Sequence, residues 1–272
     1  PSPITLDQAI DLALTHSHLL KAARTQIQQN EAQELTANLR PNPTLAWDGL
    51  YFPLDPSDFT VANLESTQEF DVGGNYLLER GGKRRKRLDA ARAATSVTRF
   101  QVADTERNLI FNVGQQFISA QLANSNLEFA QQALGSFQQT VTIAEEQYKD
   151  GAISEGDYLK IKLQLLQFQT DVAAAQVAKV QALSGLRGLL GYDAVTENFD
   201  VEGDMTYKPL NLNLDDLRLR ALRSRPDLQS AESGVQAAKS QIDLAKAIGK
   251  IDLSAGLGYS HLSNQNTASI NF

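Results

Sequence analysis

The chain of 272 residues contains no cysteine. This excludes a disulfide framework and a thiolate metal site. No apolar run approaches the roughly 20 residues of a membrane-spanning helix, so membrane contact would have to involve β-strands or an interfacial surface. The net charge of −7 argues against a general nucleic-acid-binding protein, which needs a basic face. With 42% hydrophobic and 21% charged residues, the chain can bury a sizeable core.

Proline is absent between Ser57 and Lys208, and the middle of this stretch has a coiled-coil seam with apolar residues spaced by three and four. The first half of the seam comprises Leu127, Ala130, Leu134, Phe137, Val141, Ala144 and Tyr148. After a break at DGAISEGD (150–157), the seam continues with Tyr158, Ile161, Leu165, Phe168, Val172 and Ala175. A single helix over 83–149 would be about 100 Å long. The pattern predicts a long antiparallel helical hairpin over 83–191, with Gly151 in the turn and Ser154 capping the second helix.

The start of the chain is repeated near its end. ITLDQAIDLAL (4–14) has a near copy in LNLDDLRLRAL (212–222), and matches continue for about fifty positions at a constant offset. Thr5 with Gln8 predicts a capping box in the first copy, and Asn213 with Asp216 predicts a related cap in the second. Such a long period suggests duplication of a whole structural unit. We therefore expect a first repeat over 1–211, with a linker at 192–211, and the start of a second over 212–272.

Strand signals follow the first helix, which we expect to run to about Arg40, where RPNP stops it. TLAWDGLYF (44–52) and a stretch over about 62–78 predict a β-hairpin within 44–78. TASINF (267–272) reads as the start of one more strand. The second repeat would then lack its helical hairpin, so we expect a chain that is truncated at its C-terminus. Strands cross a bilayer only as a closed barrel, and two to four strands cannot close alone, so such a chain would have to oligomerise.

This order of elements resembles the TolC family of outer-membrane efflux ducts of Gram-negative bacteria. The resemblance is carried by ITLDQAIDLAL, RPNP, GGKRRKR (81–87) and YKDGAISEGDYLK (148–160). RPNP and Gly82-Lys83-Arg84 are most similar to the heavy-metal branch, the CzcC-like and CusC-like members. The resemblance implies a mainly α fold with a small β part. Three protomers, a homotrimer, would pool four strands each into a twelve-stranded barrel, and their helices would form a periplasmic tunnel. Trp47, Tyr51, Phe52 and Tyr76 would be candidates for its aromatic girdle.

The function implied by the resemblance is a passive exit duct of a tripartite efflux system. It would receive heavy-metal cations or drugs from an inner-membrane pump and dock a periplasmic adaptor protein at the helical turn. Tyr148, Gly151, Ser154 and Leu159 are the candidate adaptor contacts. The alternative is a soluble coiled-coil scaffold or periplasmic adaptor with no barrel. A scaffold, however, would have no use for strand pairs that follow each helix.

Five consecutive cations form a basic run at the expected start of the long helix: Lys83, Arg84, Arg85, Lys86 and Arg87. Cations at a helix N-terminus oppose the helix dipole, so the run has an electrostatic cost of a few tenths of a kcal/mol. The family resemblance places it at the junction of barrel and helices, where lipid phosphates of the outer membrane would offset that cost. A solvated helix face is the alternative, and the acidic net charge disfavours nucleic-acid binding.

No catalytic constellation is recognisable in the sequence. Gly81-Gly82-Lys83 lacks both the spaced glycine and the following Ser or Thr of a phosphate-binding loop. His16 and His18 are two positions apart and would point to different helix faces. We predict a protein that is not an enzyme, with no catalytic residues, no cofactor and no metal site.

Overall fold

The computed structural model describes residues 3–51, 55–58, 60–62, 69–207, 209–210, 212–262 and 265–272. The described part is mainly helical, with one antiparallel sheet. Its helices and strands, in chain order, are α1 (Leu6–His16), α2 (His18–Ala37), β1 (Thr44–Leu50), β2 (Glu69–Leu78), α3 (Lys83–Lys149), α4 (Glu155–Leu190), α5 (Leu214–Ser224), α6 (Pro226–Ile248), β3 (Leu253–Leu262) and β4 (Gln265–Asn271). A short 3-10 turn lies at Pro56–Asp58. Over these residues, no helix is long and apolar enough to span a membrane.

The first helical segment begins with the predicted capping box. The Thr5 hydroxyl accepts from the Gln8 amide, and the Gln8 side chain accepts from the Thr5 amide at 3.0 Å. The prediction of one helix to about Arg40 is wrong, because the segment breaks at Ser17 and ends at Ala37. Ser17 is buried, and its hydroxyl accepts from the Leu20 amide at 3.4 Å, so it caps a new helix.

The second copy contains the same helical break. α5 starts 208 residues after α1, at Leu214 against Leu6, and α6 starts the same distance after α2, at Pro226 against His18. The Asn213 side chain caps α5 by accepting from the Asp215 amide at 3.0 Å. The helix starts thus keep the constant offset of the sequence match, and the division into two repeats remains a prediction.

The long helical hairpin has the predicted bounds. α3 runs for 67 residues and α4 for 36. The rings of Phe137 and Phe168 lie 4.7 Å apart, and those of Tyr148 and Tyr158 stack at 5.1 Å, which confirms the seam between the two helices. Gly151 takes a left-handed conformation in the turn, with φ of 74°. The Ser154 hydroxyl accepts from the Asp157 amide at 3.2 Å and caps α4, as predicted.

The four strands form one antiparallel sheet in the order β1-β2-β3-β4. β1 and β2 make the predicted hairpin, and β3 from the second copy pairs with β2. β1 ends at Leu50, because Tyr51 has a left-handed backbone with φ of 61°. Phe52, a predicted girdle residue, and residues 63–68 of the predicted second strand lie outside the described residues, and β2 begins at Glu69. β4 lies where the alternation of TASINF predicts a strand.

The chain divides into two compact units, one of Pro1–Thr25 and Gln101–Arg225 and the other of Gln26–Phe100 and Pro226–Phe272. Each unit contains elements from both predicted repeats. The core of the first unit includes the fully buried side chains of Leu20, Val113, Leu186 and Leu190. The second unit contains the whole sheet.

Candidate functional site

The sheet has one apolar face. Cross-strand partners lie on the same side of a sheet, so the strand register assigns each residue to a face. Trp47 lies opposite Val72, and Val72 lies opposite Tyr259; in the same way Leu257 lies opposite Ile270. The large side chains of this apolar face are Leu45, Trp47, Phe70, Val72, Tyr76, Leu78, Leu253, Leu257, Tyr259 and Ile270. His261 and Asn266 are its polar exceptions, at one end of β3 and β4.

The apolar face is uncovered within the described chain. Leu45 is 80% exposed, Trp47 75% and Leu257 67%. Contiguous apolar patches of this kind mark a surface that meets another protein or a membrane. The outer edges of β1 and β4 also have no strand partner among the residues that are described. The apolar face and both outer edges of the sheet are therefore open among the described residues.

The opposite face of the sheet is mainly polar, with Leu50, Leu77 and Leu262 as its apolar exceptions near the strand ends. It is formed mainly by small, polar and acidic residues: Thr44, Asp48, Glu69, Asp71, Asn75, Ser254, Ser260, Thr267, Ser269 and Asn271. Asp48 lies directly opposite Asp71, an unfavourable like-charge pair in an isolated sheet. Glu69, the third carboxylate, accepts from the Ser260 hydroxyl at 3.2 Å. This face therefore places three carboxylates on the same side of the sheet.

Two glycines connect the sheet to α3. Gly81 and Gly82 are both left-handed, with φ of 75° and 70°. A Cβ on Gly81 would come within 2.6 Å of the Lys250 side chain. Lys83 follows these glycines and is only 8% exposed. Its ammonium donates to the Asp252 carboxylate and to the Lys250 carbonyl, each at 2.7 Å. Lys83 thus connects the start of α3 to the segment that enters β3.

Two more cations of the basic run have partners. Arg87 donates to both Glu79 oxygens and to the Leu39 carbonyl, and Lys86 donates to Asp243 at 2.8 Å. The hydrogen bond from Arg87 lowers the pKa of Glu79, and the same bond raises the pKa of Arg87. The remaining two cations, Arg84 and Arg85, are exposed and have no side-chain ion pair or hydrogen bond in the described part of the chain. The basic run is therefore divided into three structural cations and two free ones.

A cleft of about 290 Å³ lies at the junction of β2 and α3. This junction cleft is lined by Arg40, Pro41, Tyr76, Leu77, Leu78, Glu79, Gly82, Lys83 and Arg84. Arg40 also lines this cleft. In the sequence it is recognisable only as part of RPNP, the expected end of the first helix, and not as a site residue. Its proximity to Arg84 depends on how the segment after α2 returns to the sheet, which no local pattern predicts.

The helical turn presents the predicted adaptor contacts at the surface. Tyr148, Gly151, Ser154 and Leu159 are all exposed. The hydrogen bond from the Ser154 hydroxyl, with a second from Lys160, lowers the pKa of Asp157. Polar contacts among Ser154, Asp157 and Lys160 thus stabilise the turn, while the side chains of Tyr148 and Leu159 remain exposed.

Both long helices have a second row of apolar residues outside the seam. On α4 this outer stripe keeps the spacing of three and four and comprises Leu159, Leu163, Leu166, Val177 and Val180, with Thr170 and Ala173 between. On α3 the exposed apolar residues include Phe111, Ile118, Leu122, Phe129 and Ile143. A stripe with coiled-coil spacing on a separate face fits a further helix as its neighbour.

The described residues contain no group of three or more His, Asp or Glu placed to hold a metal ion. The His16 ring lies 3.2 Å from the Leu12 carbonyl, and His261 lies 2.7 Å from the Asn266 side chain. The His16 ring thus contacts its own helix, and the His261 ring contacts the neighbouring strand β4.

The sequence matches the profile of the outer membrane efflux protein family over residues 9–192. The chain belongs to this family. It is 26% identical over 253 residues to the cation efflux system protein CusC of Escherichia coli K12, covering 91% of this chain and 54% of the relative. It is 23% identical over 255 residues to the cobalt-zinc-cadmium resistance protein CzcC of Cupriavidus metallidurans, covering 91% of this chain and 58% of the relative. The chain spans just over half the length of these curated relatives.

Solved structures share the fold. The CmeC outer membrane channel of Campylobacter jejuni matches with a TM-score of 0.76 and 18% identity, over 98% of this chain and 60% of that one. A membrane protein from Pseudomonas aeruginosa matches with a TM-score of 0.75 and 20% identity, over 98% of this chain and 64% of that one. The long hairpin, the helix pairs and the sheet together are thus an established arrangement.

Proposed function

We propose that this protein is an outer-membrane exit duct of a tripartite efflux system in a Gram-negative bacterium. The sheet carries this proposal, because one of its faces is apolar and exposed while the other is polar. Strands that cross an outer membrane alternate in this way, apolar toward lipid and polar toward the lumen. A soluble coiled-coil scaffold would leave Leu45, Trp47 and Leu257 in water without a role.

Assembly as a homotrimer is part of the proposal. Four strands with open edges cannot close, whereas three copies would supply the twelve strands of a barrel. The outer stripes of α3 and α4 support the same assembly, because they fit neighbouring helices of the tunnel. Within each protomer, we propose that 1–211 and 212–272 belong to two repeats of one unit.

Heavy-metal cations are the proposed substrates. Two relatives are named for cation efflux and for cobalt, zinc and cadmium resistance. The polar face supports this choice, because Asp48 and Asp71 would place carboxylates toward the lumen, and rings of acidic side chains favour cations. The duct would act by passive permeation, with an inner-membrane pump as the source of energy and the helical turn as the docking site of a periplasmic adaptor.

The test is fractionation of the full-length protein, followed by detergent extraction and a mass measurement. We expect a trimer in the outer-membrane fraction. Leu257→Arg places a cation on the apolar face in the middle of β3, at a cost of about 2–4 kcal/mol at the bilayer midplane, and should remove the membrane-bound trimer. Asp48→Arg is the matched control, because it places the same side chain on the polar face opposite Asp71. A soluble wild-type monomer would refute the duct.

A further inference from the structure

The junction cleft contains positive charge that the described residues do not neutralise. The Lys83 ammonium is occupied by Asp252, and the Glu79 carboxylate by Arg87. Arg40 and Arg84 line the cleft, and their side chains have no ion pair or hydrogen bond within the described ranges. Two free guanidinium groups in one concavity fit a doubly coordinated anion, above all a phosphate.

Apolar surface continues from this cleft along the sheet. Tyr76 and Leu78 line the cleft and also belong to the apolar face, where Leu78 lies opposite Leu253. Tyr76 has the amphipathic ring that is enriched at the boundary of a membrane and water. A ligand with an anionic head in the cleft could therefore lay a hydrocarbon chain along the apolar face.

We propose that the junction cleft binds the phosphate of a membrane phospholipid. Arg40 and Arg84 hold the phosphate, and one acyl chain lies against Tyr76 and Leu78. The inference rests on the proposed function, since it requires the apolar face to meet lipid. A free phosphate ion would use the same guanidinium groups but would gain nothing from the apolar part of the site.

The ligand test uses native mass spectrometry on the full-length trimer in detergent. Phosphatidylglycerol is titrated beside diacylglycerol with the same chains and beside glycerol 3-phosphate without chains. We expect phosphatidylglycerol to bind at least about tenfold more tightly than either, since both the charged head and the buried chain contribute. Equal binding of diacylglycerol would exclude phosphate recognition, and equal binding of glycerol 3-phosphate would assign the cleft to soluble anions; either result overturns the proposal.

Variants locate the site. Arg40→Gln with Arg84→Gln should weaken phosphatidylglycerol binding about 25-fold, about fivefold for each cation removed, whereas Arg85→Gln should change it less than about twofold. Arg85 is the matched control, an exposed cation of the same run that does not line the cleft. If the double variant and Arg85→Gln lost the same affinity for phosphatidylglycerol, binding would depend on non-specific charge, and the proposed site would be overturned.

The same preparations separate this inference from the proposed function. Trimer yield in the membrane fraction is measured for every variant. If the double variant forms a membrane trimer and binds phosphatidylglycerol as tightly as wild type does, the lipid site alone is overturned. Absence of the wild-type protein from the membrane fraction would overturn both.

Discussion

Lys83 shows how one residue can meet an electrostatic cost by long-range contacts. A cation in the first turn of a helix opposes the helix dipole. Here the ammonium is nearly enclosed and donates to the Asp252 carboxylate, 169 residues away in sequence, and to the Lys250 carbonyl. These two hydrogen bonds offset the cost and join two segments that the chain separates. Because both hydrogen bonds are internal to the fold, the role of Lys83 is structural.

The sequence could not distinguish the members of the basic run. Lys83, Arg84 and Arg85 are adjacent and chemically alike, so a local pattern treats them as one cluster. Their environments are set by partners in distant segments: Asp252 faces the first, while the other two have no partner among the described residues. Free and occupied cations are therefore distinguished by the tertiary fold.

At the same scale, Glu79 should make stability depend on pH. Its pKa is lowered from 4.5 by the hydrogen bond from Arg87, so this stabilisation is complete above pH 4.5 and is lost as pH falls through the lowered value. Glu79→Gln should cost about 1–2 kcal/mol at neutral pH and flatten the acid limb of the curve. The measurement is the thermal midpoint of the full-length protein from pH 3 to 7.

Glu202→Gln is the matched control for this pH series. Glu202 is exposed, and its carboxylate has no ion pair among the described residues. Its variant should follow the wild-type curve. The role given to Glu79 would be wrong if both variants had the same pH profile.

At the scale of elements, the helices were the most predictable part of the fold. The capping pairs of Thr5 and Ser154 predicted the starts of α1 and α4, and the seam predicted the pairing of α3 with α4, because caps and heptads are local signals. The break at Ser17 was missed, because HSH contains neither glycine nor proline. Pro226 stands just after the equivalent break in the second copy, so a comparison of the two copies could have revealed it.

The seam of the hairpin can be tested at Phe137. Phe137→Ala removes the ring that packs 4.7 Å from Phe168, which should cost about 2 kcal/mol because the site is half-buried. We expect faster amide hydrogen exchange on both helices around these residues, measured by mass spectrometry on the full-length protein. Gln138→Ala, at the exposed neighbouring position, should leave the exchange unchanged. If the amides of α3 and α4 exchanged equally fast in Phe137→Ala and in Gln138→Ala, the packing of Phe137 in the seam would be contradicted.

At the scale of the whole molecule, the order of elements was predictable and the compact units were not. Periodicity and the repeat gave helix, strands, hairpin, linker and helix in sequence. The units, however, each combine elements of 1–211 with elements of 212–272. Such combinations depend on packing between distant segments, and the opposition of Asp48 and Asp71 on one face likewise depends on the strand register.

Assembly should depend on the outer stripe of α4. Leu163 is 66% exposed in the single chain and would be buried by a neighbouring helix in the proposed trimer. Leu163→Ser should lower the yield of trimer several-fold while leaving the seam intact, because it removes apolar area from the interface alone. Gln164→Ser, on the polar side of the same helix, is the control. The measurement is size-exclusion chromatography with light scattering, and unchanged trimer yield would exclude this stripe from the interface.

The facing pair of Asp48 and Asp71 has an evolutionary consequence. In the proposed trimer each codon is read out at three places around the pore, so one nucleotide change that replaces either aspartate by a neutral residue alters the charge of the passage by three. Permeability to cations could then shift in large steps, while the lipid side of the wall stays as it was.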